Sequence, residues 1–236
     1  MLTIIFAESA LETVPEALWS SPDVQKHAEK REKKPGQILL DRSYHHRAMT
    51  SLRNASQRGR PDIVHISLLE ALGSPLNMEK LLRVYVHTVT DCVISLSPEV
   101  RLPRNYDRFI GLMEQLFEFN KIPPTGVTLI SLKKQTLAEL ISEIKVTRVI
   151  ALTRLGKLKL LECVMSELVK EERPAIIIGG FPHGNFSEDT MKLVDEAVCF
   201  DREMLETWTV TSRAIYEYEK AIELPQKRLK KISGAA

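Results

Sequence analysis

The feature that most restricts the fold is an alternation in the second half of the chain. Short apolar runs at Val127 to Ser131, Val149 to Leu152, Ala175 to Ile178 and Ala197 to Phe200 are separated by helical spacing near Thr136 to Ile144 and Leu158 to Val169. Strands joined through helices of this length form parallel crossovers, so an α/β fold with a parallel sheet is expected. Further strands are expected at Leu2 to Ala7 (LTIIFA) and at Ile63 to Leu69 (IVHISLL). The runs Val84 to Val89 and Cys92 to Leu96, split by Thr90 and Asp91, read as a hairpin.

Two amphipathic helices complete the pattern. One starts at Asn105 and carries Phe109, Leu112, Met113, Leu116 and Phe117 before Pro123 and Pro124 end it. The other starts near Glu206 with Val210, Ala214, Ile215 and Tyr218 on one stripe. Residues 1–236 read as a single domain with an inserted or added β/α element over about 73–104. The stretch Ser20 to Gly36, dominated by Lys, Glu and Arg, is expected to be a mobile excursion. Residues 225–236, with the basic segment Lys227 to Lys231, read as a solvated tail.

Charge and cysteine content narrow the function. A formal net charge of +2 means that any nucleic-acid site must be a local concentration of Lys and Arg. Cys92, Cys163 and Cys199 are few, odd in number and far apart, which argues against a disulfide framework or a zinc site and suits a reducing cytoplasm. The apolar start, Leu2 to Ala7, has no basic leader and is too short for a signal peptide or a span, so no membrane role is expected.

In open α/β sheets, ligands bind beyond the carboxyl ends of the strands, where loops converge on a rigid support. Three such loops stand out: Thr153 to Lys157, Gly179 to Gly184 (GGFPHG) and Asp201 to Leu205. Gly179 and Gly180, directly after Ile176 to Ile178, either let a ligand approach the backbone or serve a tight turn. Neither G-x-G-x-x-G nor G-x-x-x-x-G-K-[ST] occurs, so no dinucleotide fingerprint or P-loop competes.

Gly179 to Gly184, together with Phe200 to Glu219 (FDREMLETWTVTSRAIYEYE), resembles the cofactor loops of the SPOUT superfamily, and specifically its pseudouridine N1-specific methyltransferases of ribosome biogenesis. The resemblance extends over Leu39 to Met49 (LLDRSYHHRAM), Gly59 to Asn77 (GRPDIVHISLLEALGSPLN) and Arg101 to Leu116 (RLPRNYDRFIGLMEQL), nearly the entire chain. It implies a C-terminal trefoil knot, which periodicity alone would not suggest. It also implies that S-adenosylmethionine is held chiefly by backbone groups of Leu152, Gly156, Ile178, Gly179, Gly180, Gly184, Phe200 and Leu205, with Thr209 nearby. A homodimer is implied as well, and the helix from Glu206 to Leu224 is a surface compatible with it.

Arg101, Arg104 and Arg108 flank the start of the Asn105 helix, where cations oppose the helix dipole and one another unless an anion lies between them. They form either a solvated face partnered by Asp107 and Glu99 or a phosphate grip, and the resemblance implies the grip, on small-subunit ribosomal RNA. Arg60 and Asp62, in Gly59-Arg60-Pro61-Asp62, could be a simple salt bridge at the entry to the next element. The resemblance implies that Arg60 contacts RNA or a base carbonyl, and that Asp62 accepts a hydrogen bond from pseudouridine N1–H or assists its loss. Tyr44, His45, His46 and His183 are ambiguous between RNA contact and structure and form a weak metal signal. Two alternatives stay open: a non-catalytic rRNA-binding factor of small-subunit assembly, acting with ribosomal or assembly proteins, and a SPOUT methyltransferase with another RNA target.

Overall fold

The computed structural model describes residues 1–233. One sheet organises them, with strands β1 (Leu2–Ser9), β2 (Leu82–Thr88), β3 (Cys92–Leu96), β4 (Lys121–Ile122), β5 (Ile130–Lys134), β6 (Arg148–Leu158), β7 (Pro174–Gly179) and β8 (Glu196–Cys199) in the order β4-β5-β3-β2-β1-β7-β6-β8. Strands β2, β1, β7, β6 and β8 pair in parallel, while β3 and β4 run against their neighbours. The α/β expectation therefore holds. The run expected at 127–131 forms β5 three residues later, on the antiparallel side of the sheet away from β6. The expected hairpin is present as β2 and β3, and through it the 73–104 stretch extends the same sheet.

The helices are α1 (Pro22–Lys30), α2 (Arg42–Met49), α3 (Pro61–Gly73), α4 (Pro75–Met78), α5 (Tyr106–Phe119), α6 (Leu137–Glu143), α7 (Leu161–Leu168), α8 (Glu188–Met191), α9 (Thr207–Ala221) and α10 (Leu224–Ser233). Side chains alternate across a strand with period two, and the central strands obey this. Leu2, Ile4 and Phe6 of β1 and Ile176 and Ile178 of β7 pack on one face with residues of α3, α5, α7 and α9. Ile5 and Ala7, with Ala175 and Ile177, pack on the other face against Leu137 and Leu140 of α6. Strands covered on both sides read as continuous apolar runs, which is why LTIIFA and AIII are recognisable.

Three expectations are corrected. Ile63 to Leu69 is not a strand but the body of α3; Pro61 occupies its first turn, and Ile63, Val64, His65, Ser67, Leu68 and Ala71 are all buried. A helix buried on most sides loses its amphipathic stripe, so its sequence resembles a buried strand. Ser20 to Gly36 is not a mobile excursion, because it contains α1, whose Val24 and Ala28 pack with Val14, Ile38, Leu40 and Met49 in a satellite core. Its charges have a buried partner: Glu114 of α5 accepts hydrogen bonds from Arg31 Nη2 (2.5 Å), Lys33 Nζ (2.9 Å) and the Leu39 amide (3.2 Å). The basic segment after Pro225 is helical in α10, with Leu224 buried and Arg228 3.3 Å from Glu79; residues 234–236 lie outside the described residues.

At the far edge β6 departs from regular pairing. Val198 of β8 pairs with Leu152 and again with Lys157, so the register shifts by the residues 153–156 that lie between. A Cβ on Gly156 would lie 2.4 Å from the Val198 amide nitrogen, so only glycine permits the second pairing. Among the described residues no helix is long and apolar enough to cross a membrane.

Because the Glu114 side chain is fully buried while Arg31 and Lys33 are partly so, the combined substitution Arg31→Ala and Lys33→Ala leaves an uncompensated interior carboxylate. We expect it to lower unfolding free energy by about 3–5 kcal/mol in urea titration, where a mobile excursion would register almost nothing.

Candidate functional site

The carboxyl ends of β6, β7 and β8 lie side by side, and the loops that leave them enclose a two-lobed cleft. The larger lobe, about 240 Å³, has Ile178, Gly179, Phe181, His183, Gly184 and Thr207 on its walls, together with Arg60 and Ile63 from α3. The smaller, about 100 Å³, adds Val198, Phe200 and Asp201. Leu152, Thr153, Arg154, Met204, Leu205 and Val210 border both.

The walls are set by backbone ties. Gly180 donates its amide to Ala7 O (3.0 Å) and accepts from the Ala10 amide (2.9 Å), stitching the glycine loop to the chain that leaves β1. Thr207 Oγ1 donates to Gly179 O (2.9 Å), which fixes the first turn of α9 against the end of β7. Gly184 has φ +96°, a conformation that side chains resist.

The structure brings together most, not all, of the residues expected at the cofactor. Leu152, Ile178, Gly179, Gly184, Phe200 and Leu205 line the cleft. Gly156 and Gly180 do not; a Cβ on Gly180 would lie 2.1 Å from Ser9 Oγ, so both glycines serve close approach within the chain. Thr209 is also off the wall, and its helix presents Thr207 and Val210 instead. Those two, with Thr153, Arg154 and Met204, were missed. Thr153, Arg154 and Met204 lie in expected loops and Thr207 just after one, and the Thr207/Val210 spacing of three was the available signal for one helical face.

Arg60 lines the larger lobe; Asp62 does not line either lobe and reaches the site through its bond to Arg60. Arg60 precedes α3, its amide bonded to Ala10 O (3.2 Å), and its Nε and Nη2 donate to Asp62 Oδ1 (2.8 Å) and Oδ2 (2.7 Å). That paired bond to Asp62 is the main cause that holds the Arg60 guanidinium more firmly in its charged form. Arg60 lines the cleft, and both side chains are about one third exposed, so the carboxylate is oriented yet accessible.

Arg101, Arg104 and Arg108 do not line the cleft; they are exposed on the neighbouring surface at the start of α5, which Asn105 caps by accepting from the Arg108 amide (3.0 Å). Glu99 pairs instead with Lys80 (2.9 Å), and none of the three arginines forms an ion pair among the described residues, so they face solvent without a protein counter-charge. The surface is tied to α3: His65 Nε2 lies 2.7 Å from Pro103 O, and the His65 ring stacks on Phe109 with centroids 4.2 Å apart.

The Tyr44 cluster divides. His45 is fully buried, with Nδ1 accepting from the Asp41 amide (3.1 Å) and Nε2 2.9 Å from His27 Nδ1; burial, then His27, pushes its pKa down to about 4. It is a neutral structural residue. Tyr44 is exposed and stacks on His27 (4.1 Å between centroids), beside Tyr106, whose hydroxyl donates to Asp41 (2.7 Å).

The Val210, Ala214, Ile215 and Tyr218 stripe of α9 packs in the core with α3 and α7 residues, so it is not a free dimer face. Exposed apolar side chains include Leu155 and Leu158 in the second part of β6, Leu160 after it and Met204 on the cleft wall, as well as Tyr216 on α9 itself.

Residues 4–219 match the EMG1/NEP1 methyltransferase family. The chain is 46% identical over 218 residues to the Ribosomal RNA small subunit methyltransferase Nep1 of Pyrococcus furiosus, covering 92% of this chain and 96% of that one. It is also 46% identical over 215 residues to the protein of the same name from Staphylothermus marinus, covering 91% and 93%. The crystal structure of Archaeoglobus fulgidus Nep1 bound to S-adenosylhomocysteine superposes with TM-score 0.83 at 38% identity, covering 94% and 98% of the two chains. With a cleft at the carboxyl ends of a parallel sheet and matches of this extent, the chain belongs to the EMG1/NEP1 methyltransferase family.

Proposed function

We propose that the protein transfers a methyl group from S-adenosylmethionine to N1 of a pseudouridine in small-subunit ribosomal RNA, as a step in small-subunit biogenesis. The observation that carries this reading is the cleft itself, with Arg60 on its wall and Asp62 held against Arg60 by two hydrogen bonds. The name of the Pyrococcus furiosus relative and the S-adenosylhomocysteine in the Archaeoglobus fulgidus structure support substrate and cofactor class.

The residues present fit the cofactor. Leu152, Ile178, Leu205 and Val210 offer apolar walls to an adenine, and Gly179 and Gly184 contribute backbone to the same wall. When bound, S-adenosylmethionine supplies an electrophilic methyl group on a sulfonium. The rest falls to the chain. Asp62 Oδ1 and Oδ2 each accept one bond from Arg60 and each keeps capacity for another, so the carboxylate accepts the N1–H and aims N1 along the line of attack. A carboxylate is a weak base toward an imide, so this positioning contributes more than complete proton removal before transfer. The N1 proton passes toward Asp62 or solvent as the N–C bond forms and the S–C bond breaks. Arg60 holds Asp62 and is placed to meet a base carbonyl.

Arg101, Arg104 and Arg108, unpaired and beside the α3 end that bears Asp62, suit the phosphates of a loop from which the target base is flipped. The double pairing of Val198 with Leu152 and Lys157 supports a trefoil knot at β6 and β8. We read residues 1–236 as one SPOUT domain with 73–104 as the added element. Exposed Leu155, Leu158, Leu160 and Met204 support a homodimer closing over this edge, and three unpaired cysteines suit a reducing cytoplasm.

Wild-type protein is expected to bind S-adenosylmethionine in calorimetric titration and to methylate a pseudouridine-containing RNA hairpin but not its uridine counterpart. RNA binding without cofactor binding would instead identify an assembly factor. Asp62→Ala should lower kcat by about 100-fold or more while cofactor affinity stays within about twofold. Arg104→Ala and Arg108→Ala should each weaken RNA binding and flatten its dependence on log salt concentration by about one unit. Light scattering should report a dimer, and Leu155→Glu combined with Leu160→Glu should yield a monomer, since both side chains are more than two thirds exposed in the single chain.

A further inference from the structure

We infer that Glu8, at the carboxyl end of β1, is a positioning residue that pins the cofactor-side loop 180–187 from below. The inference rests on the assignment of the cleft to S-adenosylmethionine.

The backbone is the starting point. Glu8 has φ +52°, the left-handed region, and the pairing of β1 with β2 shifts register there, between Phe6 and Ser9. A long L side chain keeps this conformation only where its surroundings impose it. They do so on both sides. The Glu8 amide donates to Nδ1 of His87 (3.3 Å), a buried ring whose Nε2 faces Asp91 Oδ1 at 3.1 Å. The next residue, Ser9, donates its hydroxyl to Phe6 O (2.9 Å) and packs against Gly180.

The unusual turn carries the carboxylate across the sheet end to the far end of the glycine loop. One oxygen, Glu8 Oε1, accepts from both the amide (2.9 Å) and the hydroxyl (2.7 Å) of Ser187. The same hydroxyl accepts from the Thr190 amide (3.2 Å), so it passes the contact into α8, where Thr190 is buried. The loop is thus held at its start by Gly180 on Ala7 and Ala10, and at its end by Ser187 on Glu8. Between the two ties lie cleft-lining residues: Phe181 and Phe186, packed edge to face at 5.5 Å, and His183, Gly184 and Asn185. Apart from these ties the loop has a side-chain bond from Gln57 Nε2 to Asn185 O (3.1 Å), a single bond and, like the two to Glu8, exposed. A loop fixed at both ends meets its ligand preorganised, and freeing one end should weaken binding without touching the reacting atoms.

Glu8→Gly tests this cleanly, because glycine accepts φ +52° without strain and only the side chain is lost. Glu8→Gln is the rescue, since both Ser187 bonds fall on a single oxygen that an amide carbonyl can replace. With wild-type binding established first by calorimetry, Glu8→Gly should bind S-adenosylmethionine about five- to tenfold more weakly and raise its KM to match, with kcat within about twofold. Hydrogen–deuterium exchange of 180–187 in the cofactor-free protein should speed up, and Glu8→Gln should restore both. Glu8→Asn, which also tolerates positive φ but is one methylene shorter, serves if the glycine variant does not fold. Wild-type affinity and exchange in a folded Glu8→Gly or Glu8→Asn protein would overturn the role of Glu8. No cofactor binding by wild-type protein would overturn the cleft assignment instead.

Discussion

Burial of β1 and β7 on both faces is the constraint on which the rest of the structure depends. With Ile4, Ile5, Ile176 and Ile177 all inaccessible to solvent, neither sheet face can carry chemistry. What remains is the strand ends, where backbone amides and carbonyls emerge and loops can converge. At the carboxyl end of β7 the chain turns at Gly179 and Gly180, is tied to β1 and α9, and walls a cleft. The site is a consequence of the layering.

The glycines of this edge make room for other parts of the same chain. A Cβ on Gly156 would meet Val198, on Gly180 Ser9, on Gly179 the Phe181 ring at 2.9 Å and on Gly184 the Gln57 amide at 2.7 Å. Gly179 and Gly184 also line the cleft, so the packing that only glycine admits shapes its wall. The approach at Gly156 lets the chain after Leu152 pair again with β8, and the approach at Gly180 lets the loop after β7 rest on the end of β1.

Electrostatics separate the two ends of the active surface. Glu114 gathers the cations of the α1 region into the interior, and Glu99 is taken by Lys80, so the arginines at the start of α5 keep their charge facing outward. Arg60, by contrast, spends its guanidinium on Asp62. One group of cations faces solvent while the other holds a carboxylate, and under the proposed function this division suits a base-modifying enzyme on a folded RNA.

Periodicity and residue type were enough to place β1, β6, β7 and β8, the β2–β3 hairpin, the amphipathic α5 that starts beside Asn105, and the three loops that border the cleft, though not the antiparallel setting of β5. Those features are local: alternation, apolar runs and capping residues act within a few residues of themselves. The family resemblance was equally local, resting on the motifs around Arg60, Arg104 and Gly179. Tertiary structure alone decided what depended on distant partners. It made IVHISLL a helix, because burial on most sides erases the stripe that distinguishes the two. It ordered the charged 20–36 stretch, because its counter-charge sits on α5. It put Thr207 and Val210 rather than Thr209 on the cleft wall, and it brought Glu8 to Ser187, a contact that no spacing rule could register because the two residues meet only when β1 and β7 lie side by side.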